Sequence, residues 1–221
     1  MWYFIGWLFF LIVFKLYLGV KVVGRENVPA KGAFIFASNH TSYLDPILLG
    51  ISIYRSLNYM AREDLFKEGF LGWALPKVQA FPVRRGEGDV GALRQALRLL
   101  KTNKGLVIFP EGTRSEDAQL KRAKPGIGFI AAKSGVPVIP AYIEGSFEAL
   151  PRGVKTLKRH PVKIYIGRPL HFADDVSNKN DRLVYQKISD EIMSAIADLK
   201  YECERSSASD AQKRFEKVVT G

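Results

Sequence analysis

What most constrains the fold is a set of short apolar runs between residues 33 and 166, separated by helical or polar stretches. They fall at 33–37, 57–61, 78–83, 106–109, 136–143 and 162–166. Two segments, Gly105 to Phe109 and Val136 to Pro140, carry no polar side chain and suit strands buried on both faces. Between the runs lie helical patterns. Val90, Leu93, Leu97 and Leu100 recur at three- and four-residue spacing, with Arg94, Arg98 and Lys101 on another face. Ile127 to Ser134 predicts a short helix stopped by Gly135. Val184, Ile188, Ile192, Ala195 and Leu199 predict an amphipathic helix from about Asp181. Strands alternating with helices predict an α/β fold, a largely parallel sheet flanked by helices.

Both ends differ from this pattern. Trp2 to Phe14 has nothing more polar than Tyr3, and after Lys15 the apolar character resumes through Val20. Through Val20 such a helix would span roughly 28 Å, close to the hydrocarbon thickness of roughly 30 Å. Residues 1–20 are therefore expected to form an apolar, membrane-anchoring helix that spans, re-enters or lies on the bilayer, with Trp2, Tyr3, Trp7 and Tyr17 as interfacial anchors. A signal peptide fits poorly, because no basic segment precedes the apolar run. Lys21, Arg25 and Lys31 just downstream would place the body on the cytoplasmic side. Residues 21–202 form the expected globular domain, and the serine-rich residues 203–221 an expected flexible polar tail.

The 33 Lys and Arg against 22 Asp and Glu give a net charge of +11, which favours anionic partners such as phosphorylated ligands or acidic lipid. Nucleic acid is disfavoured, since the basic residues form no recognised module. One cysteine excludes an intramolecular disulfide and a cysteine-based zinc site, and three scattered histidines argue against any metal site.

One polar stretch, Ser38-Asn39-His40-Thr41-Ser42-Tyr43-Leu44-Asp45-Pro46, is wedged between two apolar segments. If a strand ends before it and a helix begins near Asp45, His40 and Asp45 share one loop and could form a general-base dyad. Equally, Pro46 suits a first helical position, making Asp45 an N-cap or Ser42 to Asp45 a capping box. These residues alone do not choose between catalysis and capping.

Two further clusters follow strands. In Phe109-Pro110-Glu111-Gly112-Thr113-Arg114, Gly112 permits close backbone approach, Thr113 supplies a hydroxyl and Arg114 a planar fork for a phosphate. Glu111 would repel a phosphate, so its expected role is to hold Arg114 or the loop. Phe81-Pro82-Val83-Arg84-Arg85 again puts guanidinium groups beyond a strand. Taken singly, either cluster also fits an ordinary turn with solvated charges.

In order and spacing the clusters resemble the glycerolipid acyltransferases typified by 1-acyl-sn-glycerol-3-phosphate acyltransferase. Asn39-His40 to Asp45 matches that family's Asn-His-x4-Asp, Phe81 to Arg85 its second motif, Phe109 to Arg114 its Phe-Pro-Glu-Gly-Thr-Arg, and Val136 to Pro140 its last block. The likeness covers roughly residues 20–170. It departs at Gln79, where the family usually has Gly, and at Arg62, where it often has Lys.

The resemblance implies transfer of a fatty acyl group from acyl-CoA or acyl-ACP to the sn-2 hydroxyl of lysophosphatidic acid, giving phosphatidic acid. It implies His40 as general base oriented by Asp45. Arg62, Arg85 and Arg114 would hold the acceptor phosphate, and Glu111, Gly112 and Thr113 would complete the substrate loop. No cofactor or metal is expected, and membrane lipid is the expected partner. No Gly-x-Ser-x-Gly elbow occurs, which fits direct attack without an acyl-enzyme. Alternatives are a family member acting on another lysolipid, such as a lyso-aminolipid, and a non-catalytic phospholipid-binding membrane protein.

Overall fold

The computed structural model describes residues 2–67, 69–84, 89–151, 153–154, 156–172 and 182–219, with side chains omitted at scattered positions and from residue 210 onward. Its elements are α1 Trp2–Tyr17, β1 Lys21–Val23, β2 Phe34–Ser38, α2 Asp45–Ser52, β3 Leu57–Arg62, α3 Gly69–Lys77, β4 Ala80–Val83, α4 Val90–Lys101, β5 Gly105–Ile108, α5 Pro125–Ser134, β6 Val138–Glu144, α6 Ser146–Ala149, β7 Lys163–Ile166 and α7 Arg182–Val219. A 3₁₀ turn, Glu63–Lys67, links β3 to α3.

The strands form one sheet in the order β1-β7-β6-β2-β5-β3-β4. Every neighbouring pair is parallel except β6 with β7. Alternation along the strands divides the core in two. Phe34, Phe36, Val107 and Ile139 point to the layer holding α1 and α2, whereas Ile35, Ala37, Leu106 and Val138 point to α4, α5 and α7. All four residues of β5 are buried, as its wholly apolar run predicted, and so are all five of β2. The α/β architecture matches the sequence expectation, and α5 ends at Gly135 with φ 64.

Three features were not anticipated. β1 has only three residues, too few for a periodic signal. α3 contains two glycines and Pro76, residues that argue against a helix. The third is that α7 runs on as helix through Val219, across residues expected to form a flexible polar tail. The helix is held past Tyr201 because Ile192, Ile196, Leu199 and Cys203 extend one buried stripe, and Lys163 Nζ donates to Ser207 Oγ at 2.9 Å.

The amino-terminal helix is docked rather than free on all sides. Phe14 and Leu18 are buried against the α2 layer, and Trp7 Nε1 donates to the Ile53 carbonyl at 3.2 Å. Leu8, Ile12 and Leu16 form an exposed apolar stripe on the other side. Among the described residues no helix, α1 included, is long and apolar enough to cross a membrane.

Candidate active site

β2 and β5 are adjacent and parallel, but the chain leaves them toward opposite faces, to α2 on one side and α5 on the other. Such a divergence opens a crevice at the carboxyl ends of the two strands, where α/β sheets bind ligands. His40 follows β2, and Glu111 to Arg114 follow β5.

The loop carrying His40 is built around Asp45. Its Oδ2 accepts from His40 Nδ1 at 2.9 Å and from the amides of Thr41 at 2.7 Å and Ser42 at 2.8 Å. Asp45 is fully buried. An ionised carboxylate is acceptor-only, so Nδ1 carries the hydrogen and Nε2 is left with its lone pair. Asp45 also opens α2, but it gathers the loop upstream instead of capping the helix, and no side-chain cap bond forms there. Asp45 thus pairs with His40 and does not cap α2 through its side chain.

Three braces hold the loop. Asn39 pairs with Ile143 as a strand residue would, its amide donating to the carbonyl at 3.0 Å and its oxygen accepting from the amide at 2.8 Å. Thr41 Oγ1 lies 3.0 Å from Ser146 Oγ, and Ser42 Oγ donates to the Leu150 carbonyl at 2.7 Å. The ring of Phe109 stacks on the imidazole, with centroids 3.9 Å apart and planes 15° apart. Phe109 lies within one of the clusters read in the sequence, but nothing in sequence flagged Ser146.

The β5 loop is stitched to the His40 loop. The His40 amide donates to Glu111 Oε1 at 3.2 Å, and the Ser115 amide donates to the His40 carbonyl at 2.7 Å. Glu111 is buried, and desolvation pushes its carboxyl up to about 7 despite opposing bonds from the His40 and Lys121 amides. It therefore holds the loop, one of its two expected roles. Gly112 has φ 69, in the left-handed region, while Gly112 and Thr113 are both exposed. The Arg114 guanidinium lies on the ring of Tyr43, 3.4 Å from the centroid. Among the described residues, Asp45 Oδ1, Glu111 Oε2 and Arg114 Nη1 are buried without a hydrogen-bond partner.

Arg62, at the end of β3, is half-exposed and pairs with Asp64, its Nε donating at 2.9 Å. Arg85 lies outside the described residues. A cleft of about 270 Å³ between α1 and β1, lined by residues that include Lys15, Arg25 and Tyr54, shares no residue with the His40 loop. Chemistry rather than cavity volume marks the site.

A protein-family model described as Acyltransferase matches residues 19–144, which carry His40, Asp45 and Glu111 to Arg114. A 1-acyl-sn-glycerol-3-phosphate acyltransferase of Bacillus subtilis is 38% identical over 165 residues, covering 74% of this chain and 79% of that protein. A chloroplastic enzyme of the same name from Arabidopsis thaliana is 32% identical over 156 residues, or 69% of this chain and 44% of that one. This chain thus spans less than half of the chloroplast relative. The crystal structure of the 1-acyl-sn-glycerophosphate acyltransferase of Thermotoga maritima superposes with a TM-score of 0.67 at 27% identity, covering 88% of this chain and 81% of that one.

Proposed function

The chain belongs to the acyltransferase family that includes the 1-acyl-sn-glycerol-3-phosphate acyltransferases, and on that premise we propose that it esterifies the sn-2 hydroxyl of lysophosphatidic acid to give phosphatidic acid. The observation that carries this reading is the His40–Asp45 pair at 2.9 Å, on a loop hydrogen-bonded to the one bearing Arg114.

In the proposed reaction, His40 Nε2 takes the proton of the acceptor hydroxyl as its oxygen attacks the carbonyl carbon of the acyl thioester. The tetrahedral intermediate collapses with cleavage of the carbon–sulfur bond, and the thiolate leaves. The imidazolium then returns its proton to sulfur. Asp45 stabilises the imidazolium and keeps Nδ1 protonated throughout. A thiol of pKa roughly 8.5 leaves without a strong acid, so one base suffices and no cofactor is required. The donor is a thioester of coenzyme A or of acyl carrier protein.

Arg114 is the proposed ligand of the acceptor phosphate. Its Nη1 is a buried donor with no protein partner, an arrangement costing about 1–3 kcal/mol that an anionic oxygen would relieve. Arg85 belongs to the same proposal. Arg62, already paired with Asp64, would have to exchange that partner to join them.

Both the acyl chain and the acceptor are lipids, so the enzyme is proposed to work on the cytoplasmic surface of a membrane. Its exposed stripe of Leu8, Ile12 and Leu16 would enter the interface, with Lys15, Lys21, Arg25 and Lys31 over acidic headgroups. The test is to incubate purified protein with lysophosphatidic acid and either acyl-CoA or acyl-ACP and to follow product by mass spectrometry. Phosphatidic acid with at least one donor is expected; none with both would overturn the reading.

A further inference from the structure

α3 turns apolar side chains to solvent. Residues 69–76 carry no polar or charged side chain, yet none of those described is buried. Phe70 is 76% and Trp73 58% exposed, and their rings lie 5.6 Å apart on one side of the helix, as an i, i+3 pair must. Lys77, at the next turn of that side, sets its ammonium over the Trp73 ring at 4.7 Å. On the opposite side Gly72 lets the preceding 3₁₀ turn approach, since a Cβ there would come 2.4 Å from the Phe66 carbonyl oxygen. That contact fixes which side of α3 faces away from the protein.

The topology says what this side faces. The sheet order makes β2 to β3 and β3 to β4 steps in one direction, and β4 to β5 and β5 to β6 steps in the other. α2 packs on one face, and α4 and α5 on the other, as right-handed crossovers require. The same handedness places α3 in the layer of α1 and α2. Phe70 and Trp73 therefore lie on the same side of the sheet as the exposed Leu8, Ile12 and Leu16 of α1. Aromatic rings paired with lysine suit the boundary between hydrocarbon and headgroups, and the net charge of +11 favours an acidic bilayer over a second, equally basic copy of the chain.

We propose that α3 is a second membrane contact, in which Phe70 and Trp73 enter the bilayer interface while Lys77 and the exposed Lys67 remain at headgroup level. Two contacts on one surface fix the tilt of the protein as well as its attachment. Phe70 lies beyond the carboxyl end of β3, the end of the sheet that bears His40, so the contact turns the site toward its lipid acceptor. The inference rests on the proposed work at a membrane surface and goes beyond it by naming where the body touches.

The full chain carries three tryptophans, Trp2, Trp7 and Trp73, so Trp2→Phe with Trp7→Phe leaves Trp73 as sole reporter. Added to vesicles of phosphatidylcholine and phosphatidylglycerol, this variant should shift its emission to the blue and be quenched by brominated acyl chains. In the otherwise unaltered chain, Phe70→Ser with Trp73→Ser should weaken vesicle binding by about tenfold or more, as two apolar groups lose their burial. Its thermal melt should be unchanged. Co-sedimentation with Trp73 still emitting as in water would overturn the α3 contact and leave attachment through α1 standing. No binding to any vesicle would remove both. Lipid-free dimerisation lost in the double serine variant would assign the face to a second copy and equally overturn the proposal.

Discussion

The ring of Tyr43 lies under the guanidinium of Arg114, 3.4 Å from centroid to Cζ, joining the loop after β2 to the loop after β5. Tyr43 is 54% exposed, so its packing serves Arg114 more than the core. A cation–π contact is worth about 0.5–2 kcal/mol. Tyr43→Leu should therefore raise the KM for lysophosphatidic acid by roughly 2–30-fold with the donor KM unchanged, and Tyr43→Phe should behave as wild type. Steady-state kinetics with each substrate varied in turn checks this.

Asp45 separates catalysis from architecture. Its Oδ2 satisfies two amides besides the imidazole, so Asp45→Ala strands buried donors at about 1–3 kcal/mol each. Urea unfolding should show that loss in full. Asp45→Asn keeps an oxygen for the amides but cannot hold an imidazolium. It should recover most of the stability while kcat remains depressed by two or more orders of magnitude, a size typical of general-base catalysis.

Glu111 gives stability a pH dependence. Its carboxyl rises from 4.5 to about 7 in the folded protein, so the folded state binds the proton more tightly than the unfolded chain. The associated stability is fully present below about pH 4.5 and is lost as pH rises through about 7, in total on the order of 3 kcal/mol. Denaturant titrations should show the wild type losing stability relative to Glu111→Gln across that window.

α5 and α7 meet at Gly128. A Cβ there would lie 1.9 Å from the Tyr185 carbonyl oxygen and 2.7 Å from Ser189 Oγ, which accepts from the Gly128 amide at 3.0 Å. Gly128→Ala must push the packed helices away from each other. A cost of about 1–3 kcal/mol or more is expected, read as a lower melting temperature.

How legible each feature was in the sequence follows from the range of the forces involved. β2 and β5 could be read because burial on both faces leaves an uninterrupted apolar run, and the His40–Asp45 pair because both residues belong to one nine-residue polar stretch. The hold of Glu111 on the His40 amide bridges 71 positions and left no local signal beyond its motif. Ser146, 105 residues from Thr41, left none at all. The Arg62–Asp64 pair shows a different limit: the resemblance singles out Arg62, but nothing in the motif signals that Asp64, two residues on, pairs with it. The continuation of α7 was not legible because its serine-rich composition resembles a tail, while the buried stripe that carries the helix past Tyr201 ends in the single residue Cys203.

The central claim is that His40 removes the proton from the acceptor hydroxyl. The most direct measurement is the turnover of His40→Ala with lysophosphatidic acid and an acyl thioester, beside wild type, each checked by circular dichroism. The expected result is a loss of kcat of about 10²–10⁴-fold with the acceptor still bound and the melt little changed. Wild-type turnover in a folded His40→Ala protein would contradict it.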